Sequence, residues 1–236
     1  MHPESDSPEA GAAGGGAATT PTVAMIRTLG LVSAICGLII VGAYQGTYDA
    51  VAANKRIALE RSVFKVLPAA KSIVEYDALP GGGIEPAAET APAGAIRFFA
   101  AYDDAGRLAG IAAEGAAKGY ADAVRLMFGY DAGCQCVVGF GVVGMRETPG
   151  IGDKILSDKE FRANFKALDA RLNADLSALA NAVVTVKHGT KTQPWQIDAI
   201  AGATITSRAV GKGINDAAQA LLPRLLPHID KIKAKS

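Results

Sequence analysis

Histidine and cysteine are scarce in this chain of 236 residues, three of each, and tryptophan occurs once. His2, His188 and His228 match no metal-binding spacing, so a histidine-ligated metal centre finds no support. Also missing are a G-x-S-x-G elbow, a Walker loop and a G-x-G-x-x-G turn after a strand. Their absence removes the serine-hydrolase, nucleotide-triphosphatase and dinucleotide-binding readings. Neither sign of charge prevails: 24 basic residues stand against 23 acidic ones, a net charge of +1, and no nucleic-acid-binding surface is implied. No internal repeat is evident.

Half the residues are hydrophobic, enough for one domain with a sizeable core plus an anchor and a tail. Residues 1–22 are polar and low in complexity and read as a disordered tail, because they cannot bury enough apolar surface to fold. An uncharged run occupies residues 28–48. At about 1.5 Å per residue a helix of that length spans about 30 Å, the thickness of a bilayer core. Residues 23–48 are therefore read as a transmembrane anchor, with Arg27 snorkelling to one interface and Tyr44 and Tyr48 suited to the other. A cleavable signal peptide is the competing reading, but its apolar region would be shorter, about 7–15 residues, and its leader brief and basic. Lys55, Arg56 and Arg61 follow the span and only Arg27 closely precedes it, so a positive-inside count taken alone keeps the large domain in the cytoplasm.

Residues 49–95 read as a membrane-proximal helix and a linker. Val51, Ile57, Val63, Phe64 and Leu67 recur among charges until Pro68 stops the helix, and Pro80, Gly81, Gly82, Gly83, Pro86 and Pro92 mark a loop. Residues 96–102 and 107–113, joined by Asp103-Asp104-Ala105-Gly106, form a hairpin by length and turn chemistry. Residues 121–128 and 134–145, joined by Tyr130-Asp131-Ala132-Gly133, form a second. Residues 161–168 and 172–179 are expected to be helical, and 182–187 a strand. The fold class is α+β, with an antiparallel sheet early and helices late. Residues 227–236 are taken as a C-terminal tail.

Cys36 falls in the span. Cys134 and Cys136, two apart in the expected strand, would share one face with Cα atoms near ~7 Å, too far for an easy disulfide. Structural thiols, a metal site completed by a partner, and a redox or disulfide role all stay open for this pair.

The most informative stretch is 201–210, AGATITSRAV, preceded by Asp198. Val210, Ile214, Ala217, Ala218, Leu221 and Leu225 recur at steps of three and four, the stripe of an amphipathic helix beginning near Thr204. Its first turn offers unpaired N–H groups and the positive end of the macrodipole, a place for a phosphate. Gly202 and Ala203 let the backbone approach such a ligand, and Arg208 lies on the same face as Thr204. The plain alternative is an N-cap hydroxyl at Thr204, Thr206 or Ser207. Trp195, just upstream, is more often a core residue than one that stacks on a flavin.

The pattern D-x-x-A-G-A-T-I-T-S resembles the flavinylation motif of the FMN-binding domain family, found in the G subunit of Rnf complexes and in the C subunit of the sodium-pumping NADH:quinone oxidoreductase. Ala201 stands where Ser or Thr is usual. A second stretch, Glu147-Thr148-Pro149-Gly150-Ile151-Gly152, is similar to the family's E-T-P-G-x-G loop, in the family's order and at about its distance. The resemblance runs roughly over residues 97–222, and the FMN-binding domain is placed at 96–226. It implies covalent FMN on Thr204 through a phosphodiester made by a flavin transferase. By the same resemblance Glu147, Thr148, Gly150, Gly202, Ala203, Ile205 and Thr206 bind the cofactor, with Asp198 supporting the motif. No catalytic residue and no metal ligand is expected of the chain itself, because the flavin carries the chemistry.

The implied function is that of a membrane-anchored electron-transfer subunit of an Rnf-type ion-translocating ferredoxin:NAD oxidoreductase, in the inner membrane, with its main domain on the periplasmic side and other Rnf membrane subunits as partners. The alternatives are the C subunit of the quinone reductase, a stand-alone membrane flavoprotein, and a purely structural anchor without colour.

Overall fold

The computed structural model describes residues 22–234. Apart from Thr22, which opens a helix, the tail assigned to residues 1–22 lies outside them, as do residues 235 and 236. The chain divides into two compact units, Met1–Ala52 and Ala53–Ser236. One helix, α1 (Thr22–Val66), supplies the described part of the first unit and enters the second. It is long and apolar enough to cross a membrane, and its apolar side chains from Val23 to Val51 are exposed.

The second unit is α+β. Its sheet has seven strands: β1 (Ser72–Ala78), β2 (Ile84–Pro86), β3 (Ile96–Tyr102), β4 (Leu108–Lys118), β5 (Ala123–Asp131), β6 (Cys136–Gly144) and β7 (Leu168–Asp169). All pairings are antiparallel, in the order β2-β1-β3-β4-β5-β6-β7. A parallel pair, β8 (Val184–Val186) and β9 (Gln196–Asp198), stands apart.

Side chains alternate across the sheet with the period of two that a pleated strand imposes. Phe98, Ala100, Tyr102, Ile111, Ala113, Leu126, Phe128 and Tyr130 face the main core, closed by helix α3 (Thr204–Leu225) through Val210, Ile214, Ala218, Leu221 and Leu225. Between them Phe99, Ala101, Ala112 and Met127 point to the opposite face, where Val63, Val66, Leu67 and Ala70 cover them. The sheet is thus buried on both sides, and the end of α1 supplies part of one cover. On β1 and β3, Asp77 and Arg97 sit directly opposite one another. The Asp77 carboxylate is 1% exposed and accepts from Arg97 at 3.0 and 3.1 Å. The hydrogen bond from Arg97 holds its carboxyl below the usual carboxylate range.

Four expectations are corrected. The segment read as a linker contains β1 and β2, whose pairing with each other and with β3 depends on contacts distant in sequence. Residues 161–168 and 172–179 do not form two helices. The first is a short α2 (Lys159–Ala163), capped by the Asp158 carboxylate on the Phe161 N–H, followed by a 3-10 turn and β7. The second is a loop in which Asn173 Oδ1 accepts from the N–H groups of Ser177 and Ala178, the local competition that makes Asn a poor helix former. Two side chains of α3 hold the end of this loop and the residues after it: Gln219 Oε1 accepts from Leu179 N–H and Asn215 Oδ1 from Val183 N–H.

The third correction concerns Cys134 and Cys136, which form a disulfide. Cys134 lies in the turn before β6 rather than in the strand, and Gln135 takes φ 54°. That left-handed residue folds the chain back and shortens the Cα–Cα separation to 5.2 Å, from the ~7 Å an extended strand would give. Finally, the residues taken as a tail form a 3-10 helix, Leu226–Ile232, with Ile232 buried and the Lys233 carbonyl accepting from Leu108 N–H.

Candidate functional site

Helix α3 begins at Thr204, as its apolar periodicity implies, and its N-cap is Ala203, which brings no side-chain acceptor to the first turn. The leading N–H groups of the helix therefore keep their capacity to bind an anion. Gly202 reaches φ 82°, a conformation that side chains other than Gly, Asn and Asp rarely adopt, and nothing lies within 4 Å of where its Cβ would be. Ala203 is buried at 4% exposure, whereas Gly202 and Ala201 are open to solvent. Thr204 is half-buried, and its hydroxyl has no hydrogen-bond partner among the described residues. Ile205 is exposed, as is Arg208.

Thr206 is placed differently. It is 2% exposed, and its Oγ1 donates to Glu147 Oε2 at 2.6 Å. Glu147 also accepts from Tyr120 N–H at 3.3 Å and Ala121 N–H at 3.1 Å. Burial pushes this carboxyl up, but the hydrogen bonds from Thr206 and from the Ala121, Tyr120 and Asp122 backbone outweigh it, and the group sits below its ordinary value. The two segments singled out in the sequence, 147–152 and 198–207, are thus brought together through one side-chain hydrogen bond. Both oxygens of Glu147 are engaged by protein donors. Its carboxylate shapes the loop.

Thr148 is exposed, and its carbonyl accepts from Ile151 and Gly152 N–H, closing the loop as a turn with Gly150 at φ 77°. Behind the motif, Ser207 is fully buried, accepts from Ile200 N–H and donates to the Ala203 carbonyl, fastening the loop to the first turn. Asp198 lies on β9, half-buried. It accepts from Gly189 N–H at 2.7 Å and stands 3.8 Å from His188 Nδ1. Its backbone is clasped on both sides by the buried Asn164 amide, which in turn accepts from Lys191 Nζ. Sequence reasoning missed Asn164, which stands between Arg162 and Lys166 in a stretch read as helical and carries no local signal that sets it apart from them. Trp195 is half-buried and close in sequence to the motif, without a stacking partner among the described residues.

A cleft of ≈ 480 Å³ opens beside this loop, lined by Lys154, Phe161, His188, Asp198, Ile200 and Ala201. Together these features form an uncapped helix start, an open glycine turn and a hydroxyl without a partner among the described residues, with the cleft reaching the same loop at Ile200 and Ala201. The arrangement fits a phosphorylated flavin held by its phosphate end.

Residues 119–219 match the FMN-binding domain family. The G subunit of the proton-translocating ferredoxin:NAD(+) oxidoreductase complex of Clostridium ljungdahlii is 38% identical over 102 residues, covering 43% of this chain and 48% of that protein. The G subunit of the ion-translocating oxidoreductase complex of Methanosarcina acetivorans is 29% identical over 122 residues, 52% of this chain and 56% of that one. The chain spans about half the length of these curated relatives. Among solved structures, NqrC of Shewanella oneidensis superposes with a TM-score of 0.57 at 20% identity, covering 78% of this chain and all of that one. The C subunit of the Na(+)-translocating NADH-quinone reductase from Parabacteroides distasonis gives 0.55 at 15%, covering 78% and 96%. At these identities the likeness establishes the shared fold.

Proposed function

We propose that this chain, which carries an FMN-binding domain, is the membrane-anchored electron-transfer subunit of an Rnf-type ion-translocating oxidoreductase, with FMN joined to Thr204 by a phosphodiester. The observation that carries the reading is the half-buried Thr204, whose hydroxyl has no partner among the described residues, at an uncapped helix start next to the Gly202 turn. The names of the two curated relatives support the complex type, and the structural likeness keeps the sodium-pumping quinone reductase as the second reading.

Bound flavin supplies one- and two-electron redox chemistry. The chain's own residues hold and orient it. The first-turn N–H groups of α3 offer donors to the phosphate, Gly202 keeps the approach clear, and the cleft walled by Phe161 and Lys154 offers room for the ring. Thr204 alone is a weak nucleophile at neutral pH, so a separate flavin transferase makes the bond. The anchor confines the cofactor near partner redox centres in the membrane and raises their effective concentration. The test is to co-express the full chain with the transferase and read intact mass and in-gel ultraviolet fluorescence. The expected result is one FMN per chain, and a colourless, unmodified protein overturns the reading.

The periplasmic placement of the domain gains support from the Cys134–Cys136 disulfide, since such bonds persist in oxidising compartments and are rare in the cytosol. Charge around the span points the other way, but a long folded domain after a single anchor is where that rule is weakest. In intact cells both thiols should resist a membrane-impermeant maleimide until an impermeant reductant is added, after which they should label. Labelling only after lysis contradicts the outward placement, and labelling of intact cells without reductant contradicts the disulfide.

A further inference from the structure

Two threonines stand two residues apart at the start of α3, and the proposed flavin goes to only one. About 200° of helical rotation separates them, so they face different surroundings. Thr204 has no partner among the described residues, whereas Thr206 is 2% exposed with its proton committed to Glu147 Oε2 at 2.6 Å. Glu147 is itself wedged between two glycines. A Cβ on Gly152 would stand 2.6 Å from Glu147 Cβ and 3.0 Å from Thr206 Oγ1. One on Gly119 would collide with Glu147 Oε1, the Asp122 carbonyl and Val124. The carboxylate cannot swing aside without moving the 119–122 turn or the 147–152 loop, because backbone N–H groups of Tyr120 and Ala121 pin it.

We propose that Glu147 decides which threonine is modified, masking the Thr206 hydroxyl so that Thr204 is left as the acceptor. This rests on the flavin reading of the site. In the transfer, Thr204 Oγ forms a bond to the FMN phosphorus of an activated flavin phosphoanhydride. The P–O bond of the anhydride breaks, the leaving phosphate departs with the electron pair, and the hydroxyl proton passes to it or to solvent. No electron changes hands. For Thr206 to do the same, a phosphorus centre would have to reach an oxygen enclosed by Gly152 and Glu147.

The hydrogen-bonded pair Thr206–Glu147 also has the form of a nucleophile with its base. Enclosure argues against that role. So does the protonation behaviour: hydrogen bonds hold Glu147 below the ordinary carboxylate value, the wrong direction for a base near neutrality.

The test co-expresses full-length chains with the flavin transferase and maps the flavin by tandem mass spectrometry on the peptide containing both threonines. In the wild type all flavin is expected on Thr204. In Glu147→Ala flavin on Thr206 should appear at about tenfold or more above the background read at that residue in the wild type, the factor a charge-assisted hydrogen bond is worth. In Thr204→Val no flavin is expected, and in Thr204→Val with Glu147→Ala fluorescence should return, now on Thr206. Glu147→Gln, which keeps an acceptor for Thr206, should restore most of the preference. If Glu147→Ala fails to fold, Glu147→Ser, too short to reach Thr206 Oγ1, provides the same readout. Thr206 remaining unmodified in the folded double variant overturns the proposal while leaving the flavin reading intact. Flavin on Thr206 in the wild type overturns it too. An unmodified wild type overturns the flavin reading itself.

Discussion

Replacing Thr204 by Val should abolish covalent flavin altogether: no in-gel fluorescence and an intact mass equal to that of the bare chain after co-expression with the transferase. The substitution keeps shape and β-branching at a half-buried helix start and removes only an oxygen that has no partner among the described residues, so the domain should fold as before. The loss therefore reads chemistry and not stability. Thr206→Val is the matched control. It deletes the hydroxyl that Glu147 accepts from and should still yield flavin on Thr204. Fluorescence that survived in Thr204→Val and vanished in Thr206→Val would transfer the attachment to the second threonine.

The second large effect is expected where α3 crosses the sheet. Gly115 on β4 lies under the helix, and a Cβ placed there would run into the backbone of Gly213, reaching its carbonyl carbon at 2.9 Å. Backbone cannot rotate away as a side chain can. Gly115→Val should thus separate helix from strand and cost about 3 kcal/mol, the upper end of ordinary overpacking. Urea unfolding of the full chain in detergent, followed by the fluorescence of Trp195, measures it. Gly144→Ala, at the far end of β6 with nothing within 4 Å, should change the midpoint little, within about 0.5 kcal/mol. A neutral Gly115→Val would mean that the helix sits farther from β4 than described. Because the first turn of α3 carries the flavin attachment proposed for Thr204, a destabilised but folded Gly115 variant should also lose flavin.

Much of this architecture is legible from pattern alone. The strand at Ile96–Tyr102 follows from its length and the turn after it, and the start of α3 from the spacing of Val210, Ile214 and Leu221. The two motif segments are recognisable as strings, and the fold brings them together through Thr206 and Glu147. What stays hidden depends on partners distant in sequence. β1 needs β3 and β2 to be a strand: Pro68 ends the helix before it, but nothing in Ser72–Ala78 alone distinguishes a strand from a linker. Asn164 matters through bonds to Asp198, 34 positions away, which no local spacing announces. The disulfide is hidden for another reason. Two cysteines in an ideal strand cannot meet, and only the positive φ of Gln135 takes them out of one. The hydrogen bonds that Glu147 accepts from Tyr120, Ala121 and Thr206 are hidden as those of Asn164 are, since each joins residues at least 26 positions apart.

The carboxamides of Asn215 and Gln219 hang the segment around Leu179 and Val183 from the long helix like two pegs four residues apart. Their spacing is one helical turn. Adding a single residue between them would turn one peg by about 100° and strand a peptide group. Helix and hanging segment can therefore be exchanged between such domains only together, as one cassette cut outside both.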